Sequence, residues 1–209
     1  GEIVVDEKVK ARKEWAVLEE VVGTPSRIEQ IAKDVVSHFN NRPIEGKAMV
    51  VTMSRSIAVA MYNAIKNIEG SPECAVIISG MDDFPGQIQS EHDVKKLEKR
   101  FKKANDSLRL VIVCDMWLTG FDVPNMHTMY LDKPLKNHGL MQAIARVNRV
   151  YKDKPGGLIV DYIGIAENLK KALALYDADV QKEAMIPLDE VIAEMKTLHR
   201  EVSLYFSNV

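Results

Sequence analysis

The sequence predicts an α/β fold, in which helices cover both faces of a mostly parallel β-sheet and further helices flank it. From residue 47 onward, short apolar runs alternate with segments of helical periodicity. Continuous apolar runs are typical of strands buried on both faces, and strands separated by helices favour right-handed crossovers in a parallel sheet. Five runs carry this pattern: residues 48–53, 75–78, 108–114, 127–131 and 157–162.

Both ends of the chain are predicted to be helical. Residues 6–21 are amphipathic, and the G-T-P-S stretch that follows ends this helix and begins a second one. Ser26 and Glu29 have the spacing of a capping box for that second helix. After the last predicted strand, residues 165–178 and 187–206 have the periodicity of two amphipathic helices. We therefore expect three regions: a helical lead-in at 1–43, an α/β domain at 44–165 and a helical extension at 166–209.

The bulk composition is that of an ordinary folded domain. With 46% hydrophobic and 28% charged residues, the 209-residue chain is able to bury a sizeable core. The formal net charge of -2 does not decide for or against nucleic acid, because a local basic face is compatible with it. Cys74 and Cys114 lie inside apolar runs, which favours reduced thiols and a cytoplasmic protein over a disulfide. No apolar run approaches the roughly 20 residues that cross a membrane.

Several catalytic motifs are missing from the sequence. It has no G-x-x-x-x-G-K-[ST] loop for phosphates, no G-x-G-x-x-G turn for a dinucleotide and no acidic D-E-x-x box for magnesium. It also has no G-x-S-x-G, and its five histidines lack the spacing of metal ligands. We therefore expect this chain to carry out no reaction by itself.

Polar residues are concentrated where the predicted strands end, and ligands of open parallel sheets bind at those carboxyl ends. One such stretch is T-G-F-D-V-P, at residues 119–124. Gly120 would let the backbone approach a ligand closely, and Asp122 offers a carboxylate for a sugar hydroxyl. The alternative is that these are ordinary turn residues, and that strand ends are polar because they lead into loops.

A helix is predicted in Q-A-I-A-R-V-N-R-V-Y, residues 142–151. At about 100° per residue, Gln142, Arg146 and Arg149 form one narrow polar stripe. Guanidinium pairs suit phosphate, because each group stays charged and bonds two oxygens at once. A solvated helix face is the alternative. The residues on the opposite side are apolar or aromatic: Leu140, Ile144, Val147 and Tyr151.

Together these segments resemble superfamily 2 helicases. Their motif V is similar to V-I-V-C-D-M-W-L-T-G-F-D-V-P, their motif VI to Q-A-I-A-R-V-N-R and their motif IV to A-M-V-V-T-M-S-R-S. With Y-L-D-K-P-L and G-G-L-I-V-D-Y-I-G, the sequence looks most like the restriction and translocation (R) subunit of type I restriction-modification enzymes. The resemblance covers residues 44 to about 176. It implies the second RecA-like lobe of a two-lobed motor, whose first lobe carries the P-loop and the acidic box.

The resemblance also implies roles in an ATP site between the two lobes. Arg146 and Arg149 would reach across to the γ-phosphate, one of them as an arginine finger. Asp122 would contact the ribose of ATP or couple the site to DNA, and Gln142 would orient within the cleft. Gly120 would lie close to the nucleotide.

Four residues are expected, by the same resemblance, to face the DNA backbone: Ser54, Arg55, Thr119 and Gly120. Contacts to phosphates carry no base information, which suits tracking along DNA of any sequence. ATP would close the lobes and hydrolysis would open them, so that DNA advances.

The resemblance implies the following cofactors and partners. ATP and Mg²⁺ are expected in the parent protein, an ATP-dependent type I deoxyribonuclease and translocase, and both would be held mainly by the first lobe. The expected partners are double-stranded DNA, the first RecA-like lobe of the same subunit, and the methyltransferase and specificity subunits, with no membrane. The isolated chain is predicted to be inactive.

Some features depart from the family or have two interpretations. Ala143 and Ala145 stand where many helicases have arginine and glycine, so the role of the first motif VI arginine is absent. The basic run at 95–103 favours a solvated helix, with a DNA-binding face as the alternative. Trp117 is predicted to pack its loop against the core, with stacking on a base or adenine as the alternative. The D-D-F-P-G-Q segment at 82–87 is predicted to be a connector.

Two other functions compete with the motor. A helicase-like lobe kept only as a module that binds DNA or a protein would bind DNA on its own, with a steep dependence on salt. A self-contained nucleotide-binding enzyme is disfavoured, because the glycine-rich fingerprints are missing.

Overall fold

Five parallel strands form the centre of the structure, a computed structural model that describes residues 2–78, 91–118, 122–135, 137–149 and 156–164. The strands lie in the order β2-β3-β1-β4-β5, and every pair of neighbours is parallel. Each strand end falls within two residues of its predicted position, so the predicted sheet is confirmed. The strands are β1 (Lys47–Thr52), β2 (Glu73–Ile77), β3 (Leu108–Val113), β4 (Met126–Asp132) and β5 (Leu158–Asp161).

Helices connect and cover the strands. Side chains of α2 and α3 join alternate residues of the sheet, such as Val50 and Ile112, in one apolar core. Because side chains alternate along a strand, Met49 and Val51 face the other side, where Phe101 of α4 is also fully buried. The result is the predicted three-layer α/β arrangement. The helices are α1 (Glu2–Val22), α2 (Pro25–Asn41), α3 (Arg55–Lys66), α4 (Glu91–Lys102) and α5 (Asn137–Val147).

The start of α2 differs from the prediction. Thr24, rather than Ser26, is the N-cap residue, and Pro25 opens the helix. The predicted capping box of Ser26 and Glu29 is therefore wrong, because proline already fixes the backbone angle that the first helical position needs. The Thr24 hydroxyl donates instead to the carbonyl of Val21, at 3.0 Å.

Some predictions lie outside the described residues. These are the C-terminal helices at 165–178 and 187–206 and the connector at 82–87. The described residues all belong to a unit that spans residues 1–166. The division of the chain at 43 and 165 stays a prediction. None of the helices in the described ranges is long and apolar enough to cross a membrane.

A buried ion pair fixes α2 to the sheet. The guanidinium of Arg27 donates to both carboxylate oxygens of Asp132, at 2.6 and 3.1 Å, and also to the carbonyls of Val22 and Tyr162. The Asp132 side chain is fully buried. Burial raises the pKa of this carboxyl group above its ordinary value, although Arg27 opposes the shift. The buried negative charge of Asp132 is therefore compensated by the positive charge of Arg27.

We expect Arg27→Ala to lower the free energy of unfolding by about 3 kcal/mol at pH 7, because it leaves a buried charge without a partner. Without Arg27 the pKa of Asp132 should rise further, so the folded state takes up a proton more readily than the unfolded chain. The loss should then be smaller at pH 5 than at pH 7. Urea denaturation at the two pH values tests this, with Arg12→Ala on the exposed surface of α1 as control. Equal losses at both pH values would contradict the expectation.

Candidate functional site

A cleft of about 190 Å³ lies between α5 and the segment that leads into β4. Asp122 and Val123 line it from that segment, and Gln142 and Arg146 line it from α5. Arg149, which follows the helix, and Ala145 complete the described lining. The structure thus brings together four residues that the family resemblance assigned to an ATP site: Asp122, Gln142, Arg146 and Arg149.

The far side of α5 explains why these residues face the cleft. Leu140, Ala143 and Val147 are almost fully buried, and they lie on the apolar side of the helix. Burying this side leaves Gln142 and Arg146 on the opposite face. The apolar side agrees with the predicted stripe, although Ile144 is only half-buried.

The end of α5 corrects the predicted helix. We expected Arg149 inside a helix that continues to Tyr151, but α5 ends at Val147. The side chain of Asn148 accepts a hydrogen bond from the backbone of Gly157, at 3.0 Å, which ties the chain to the start of β5. Arg149 therefore lies beyond the end of the helix, directly after the residue that is bonded to Gly157. Tyr151 lies outside the described residues.

Arg146 is held in a defined orientation. Its Nε donates to the backbone carbonyl of Leu118, at 2.7 Å. Burial lowers the pKa of Arg146, Asp122 opposes this shift, and Arg149 adds to it. A guanidinium that is partly removed from water interacts more strongly with an anion than an exposed one does. Arg146 is thus a fixed cation on the wall of the cleft.

Arg149 is held more loosely. Its Nη1 lies 3.4 Å from Oδ2 of Asp122, and the two side chains are 58% and 54% exposed. Exposed ion pairs of this kind contribute about 0–1 kcal/mol. A stronger anion could therefore replace Asp122 as the partner of Arg149. With two guanidinium groups and one carboxylate, the cleft suits an anionic ligand.

The predicted loop residues Thr119 and Gly120 lie outside the described residues. The described residues on either side of them are Leu118, which contacts Arg146, and Asp122, which contacts Arg149. Sequence reasoning missed Leu118. Its contribution is a backbone carbonyl, so its residue type gave no signal.

Ser54 and Arg55 lie elsewhere, where β1 leads into α3. Ser54 is the N-cap of α3, and its hydroxyl accepts a hydrogen bond from the backbone N–H of Ile57, at 3.4 Å. This cap gives Ser54 a structural role that does not depend on DNA. Arg55, in the first turn, is exposed. Of the four residues expected at the DNA backbone, Ser54 and Arg55 are therefore adjacent, but the Ser54 hydroxyl is engaged in the cap whereas the Arg55 side chain is exposed.

Asp115 follows the end of β3 by two residues, and its carboxylate interacts with the charge of Arg55. Burial opposes ionisation of Asp115, but the bond from Lys133 and the charge of Arg55 together lower the pKa of its carboxyl group. The Nζ of Lys133 lies 2.5 Å from Oδ1 of Asp115, and Lys133 is itself buried. Sequence reasoning did not single out this pair, because its members are 18 positions apart.

Trp117 packs inward, as the preferred interpretation predicted. Its side chain is 7% exposed, and its ring stacks on that of Phe101, with centroids 6.0 Å apart. Cys74 and Cys114 are both free thiols. Burial raises the pKa of each to about 11, so neither is a reactive thiolate at neutral pH.

The described residues contain no group of three or more His, Cys, Asp or Glu side chains that could hold a metal ion. The basic run belongs to α4, which has an inner face where Phe101 is buried and outer lysines that are exposed. Arg100 of this run is paired with Glu73 and Asp106, each at 2.8 Å. The ion pairs of Arg100 and the buried inner face are typical of a solvated amphipathic helix, which is the interpretation that the sequence favoured.

We expect Gly157→Ala to lower the free energy of unfolding by about 1–3 kcal/mol, as overpacking does. A Cβ at Gly157 would clash with the backbone of Val147, the last residue of α5, and would displace the segment that carries Arg149. Gly156→Ala is a matched control, because nothing lies within 4 Å of a Cβ there. Urea denaturation of the two variants measures the difference. Similar stabilities would show that β5 does not constrain the end of α5.

Comparisons with known proteins point to one family. The family model described as "Type I restriction enzyme subunit R domain 3" matches residues 81–164. The chain is 47% identical over 209 residues to a putative type I restriction enzyme MjaIXP endonuclease subunit of Methanocaldococcus jannaschii, covering 97% of the chain and 20% of the relative. It is 46% identical over 175 residues to the type I restriction enzyme HindI endonuclease subunit of Haemophilus influenzae, covering 76% and 17%.

Solved structures share the fold at low sequence identity. A fragment of a putative HsdR subunit of a type I restriction enzyme from Vibrio vulnificus has a TM-score of 0.59 at 16% identity, covering 77% of this chain and 32% of that one. T4 UvsW has a TM-score of 0.51 at 20% identity, covering 70% and 27%. The chain spans about a fifth of the length of the curated relatives it matches. It belongs to the family of type I restriction enzyme R subunits, and its α/β unit has the RecA-like architecture that the sequence predicted.

Proposed function

We propose that this chain is the second motor lobe of an ATP-dependent DNA translocase, within the R subunit of a type I restriction endonuclease. The observation that carries the proposal is the cleft in which Arg146 and Arg149 lie beside a single carboxylate, Asp122. The sequence has no P-loop of its own. The anion that the cleft suits would therefore be the γ-phosphate of an ATP held mainly by the first lobe.

The two arginines would act at different moments. Arg146 is already oriented by Leu118, so it would meet the γ-phosphate without rearranging when the lobes close. Arg149 would exchange its weak pairing with Asp122 for phosphate oxygens, which a guanidinium binds through two parallel hydrogen bonds. Both would then stabilise the charge that spreads over the phosphoryl oxygens in the transition state.

Asp122 and Gln142 would complete the nucleotide site. Once Arg149 has left it, the Asp122 carboxylate would be free to accept a hydrogen bond from the ribose. Gln142 lies on the same wall and would orient the groups around it. Bound Mg²⁺ would offset negative charge on the phosphates. Asp122 is the one acidic residue of the described lining, so the metal ligands would come from the first lobe.

The DNA contacts would come from the first turn of α3. Backbone N–H groups and the positive end of the helix dipole favour phosphate at a helix N-terminus, and Arg55 adds an exposed positive charge there. Thr119 and Gly120 would add further backbone contacts. The partners would be double-stranded DNA, the first lobe, and the methyltransferase and specificity subunits.

In the full-length R subunit, we expect Arg149→Ala to lower the rate of ATP hydrolysis by roughly 10³-fold, on the scale of a lost arginine finger. DNA-stimulated phosphate release measures this, and Arg12→Ala is the control on the exposed face of α1. The isolated chain should release no phosphate above background. Normal hydrolysis and translocation by Arg149→Ala would refute the assigned role.

For DNA, we expect Arg55→Ala in the full-length subunit to weaken binding and to reduce the slope of log K against log salt by about one. Ser54→Ala should act differently, lowering stability by about 1 kcal/mol through loss of the cap of α3. Fluorescence anisotropy over a salt series and urea denaturation separate the two effects.

The same assay distinguishes the motor from a plain binding module. A motor lobe should bind DNA weakly without the first lobe. Tight binding by the isolated chain, with a steep salt slope, would instead favour the alternative of a non-catalytic helicase-like module.

A further inference from the structure

Trp117 has an unusual backbone conformation. Its φ angle is +68°, and of the described residues it is the one non-glycine residue with a positive φ. Bulky side chains rarely adopt this left-handed region, because Cβ approaches the backbone too closely. Residues held there persist only where their surroundings fix them, and they cluster at functional sites.

One contact that holds Trp117 in place comes from α4. The indole ring stacks on Phe101 at an angle of 27°, and Phe101 is fully buried against the sheet. Inward packing alone does not require a left-handed backbone, since a tryptophan can be buried from an extended or helical conformation. The left-handed conformation of Trp117 instead affects the direction of the backbone that follows it.

That consequence is the direction of the next carbonyl. Leu118 follows Trp117 directly, and its carbonyl accepts the hydrogen bond from Nε of Arg146, at 2.7 Å. The Leu118 N–H donates to the carbonyl of Asp115, at 3.3 Å, so the segment forms a closed turn. A guanidinium has five N–H donors in a rigid plane. Fixing Nε therefore fixes the plane of the remaining four donors, on the two Nη atoms.

We propose that Trp117 is a positioning residue for Arg146, and that its stack on Phe101 aims the arginine at the γ-phosphate. The proposal rests on the function proposed above for Arg146. The chain of contacts runs from the sheet through Phe101 and Trp117 to the carbonyl of Leu118, and from there to Arg146. Trp117 itself need not touch ATP. Its effect is to hold Arg146 in a productive orientation before the nucleotide arrives.

The test is steady-state ATP hydrolysis by the full-length R subunit with DNA present. Trp117→Ala should lower kcat by roughly 10²-fold, the scale of a misplaced catalytic group, with KM for ATP within about twofold. Trp117→Phe keeps an aromatic ring on Phe101 and should recover most of the rate. Trp15→Ala is the matched control, because Trp15 lies on α1, is 39% exposed and should leave kcat unchanged.

A double-mutant cycle separates positioning from general damage. If Trp117 acts through Arg146, Trp117→Ala should have no further effect on kcat in an Arg146→Ala background. An unchanged kcat in Trp117→Ala, or equal losses in both backgrounds, would overturn the proposal. If Trp117→Ala does not fold, Phe101→Leu removes the stacking ring with a smaller change in volume, and the same criteria apply to it.

The cycle also separates this proposal from the proposed function. Full hydrolysis by Arg146→Ala would remove the role of Arg146 itself, and the positioning role of Trp117 with it. Loss of hydrolysis in Arg146→Ala together with a normal Trp117→Ala enzyme would overturn the positioning role alone.

Discussion

The constraint on which the structure depends is the double pairing of β1. β3 lies on one side of it and β4 on the other, and helices cover both faces of the sheet, so all six of its residues are buried, including the charged Lys47. The ammonium group donates to the carbonyls of Leu108, Arg100 and Asp106, at 2.7, 3.2 and 3.4 Å. Burial lowers the pKa of Lys47 to about 8. The hydrogen bonds of the Lys47 ammonium group therefore connect β1 to the last turn of α4 and to the start of β3.

That tie extends to the candidate site. Fixing the end of α4 fixes Phe101, on which Trp117 stacks, and the backbone after Trp117 orients Arg146. At the end of β4, neighbouring residues hold two further elements: Asp132 binds Arg27 of α2, and Lys133 binds Asp115 after β3. The segment that leads from β3 toward the cleft is thus held by the sheet, through Lys133. It is also held by α4 and α5, through Phe101 and Arg146. A rigid frame of this kind would suit the proposed motor lobe, which would present charged groups to a ligand held mostly by the first lobe.

The two arginines of the cleft differ in how firmly their side chains are held. Arg146 is partly buried and bonded to a backbone carbonyl, whereas Arg149 lies beyond the helix and makes one exposed ion pair. A group that is fixed in advance has no reorganisation cost when its ligand arrives. A side chain in a weak ion pair, such as Arg149 with Asp122, is able to change partner when a ligand arrives. In the proposed motor, both arginines would stabilise the charge on the phosphoryl oxygens, and Arg149 would also sense closure of the lobes through its change of partner.

The sequence by itself determined the five strands and the apolar side of α5, because hydrophobic periodicity is a local property. The grouping of Asp122 with Gln142, Arg146 and Arg149 was expected only from the family resemblance. The tertiary structure alone decided the strand order, the end of α5 at Val147 and the carbonyl that holds Arg146. These depend on contacts between distant segments, such as Asn148 with Gly157 or Leu118 with Arg146. A backbone carbonyl is present at every position, so only the packed chain can select which one a guanidinium meets.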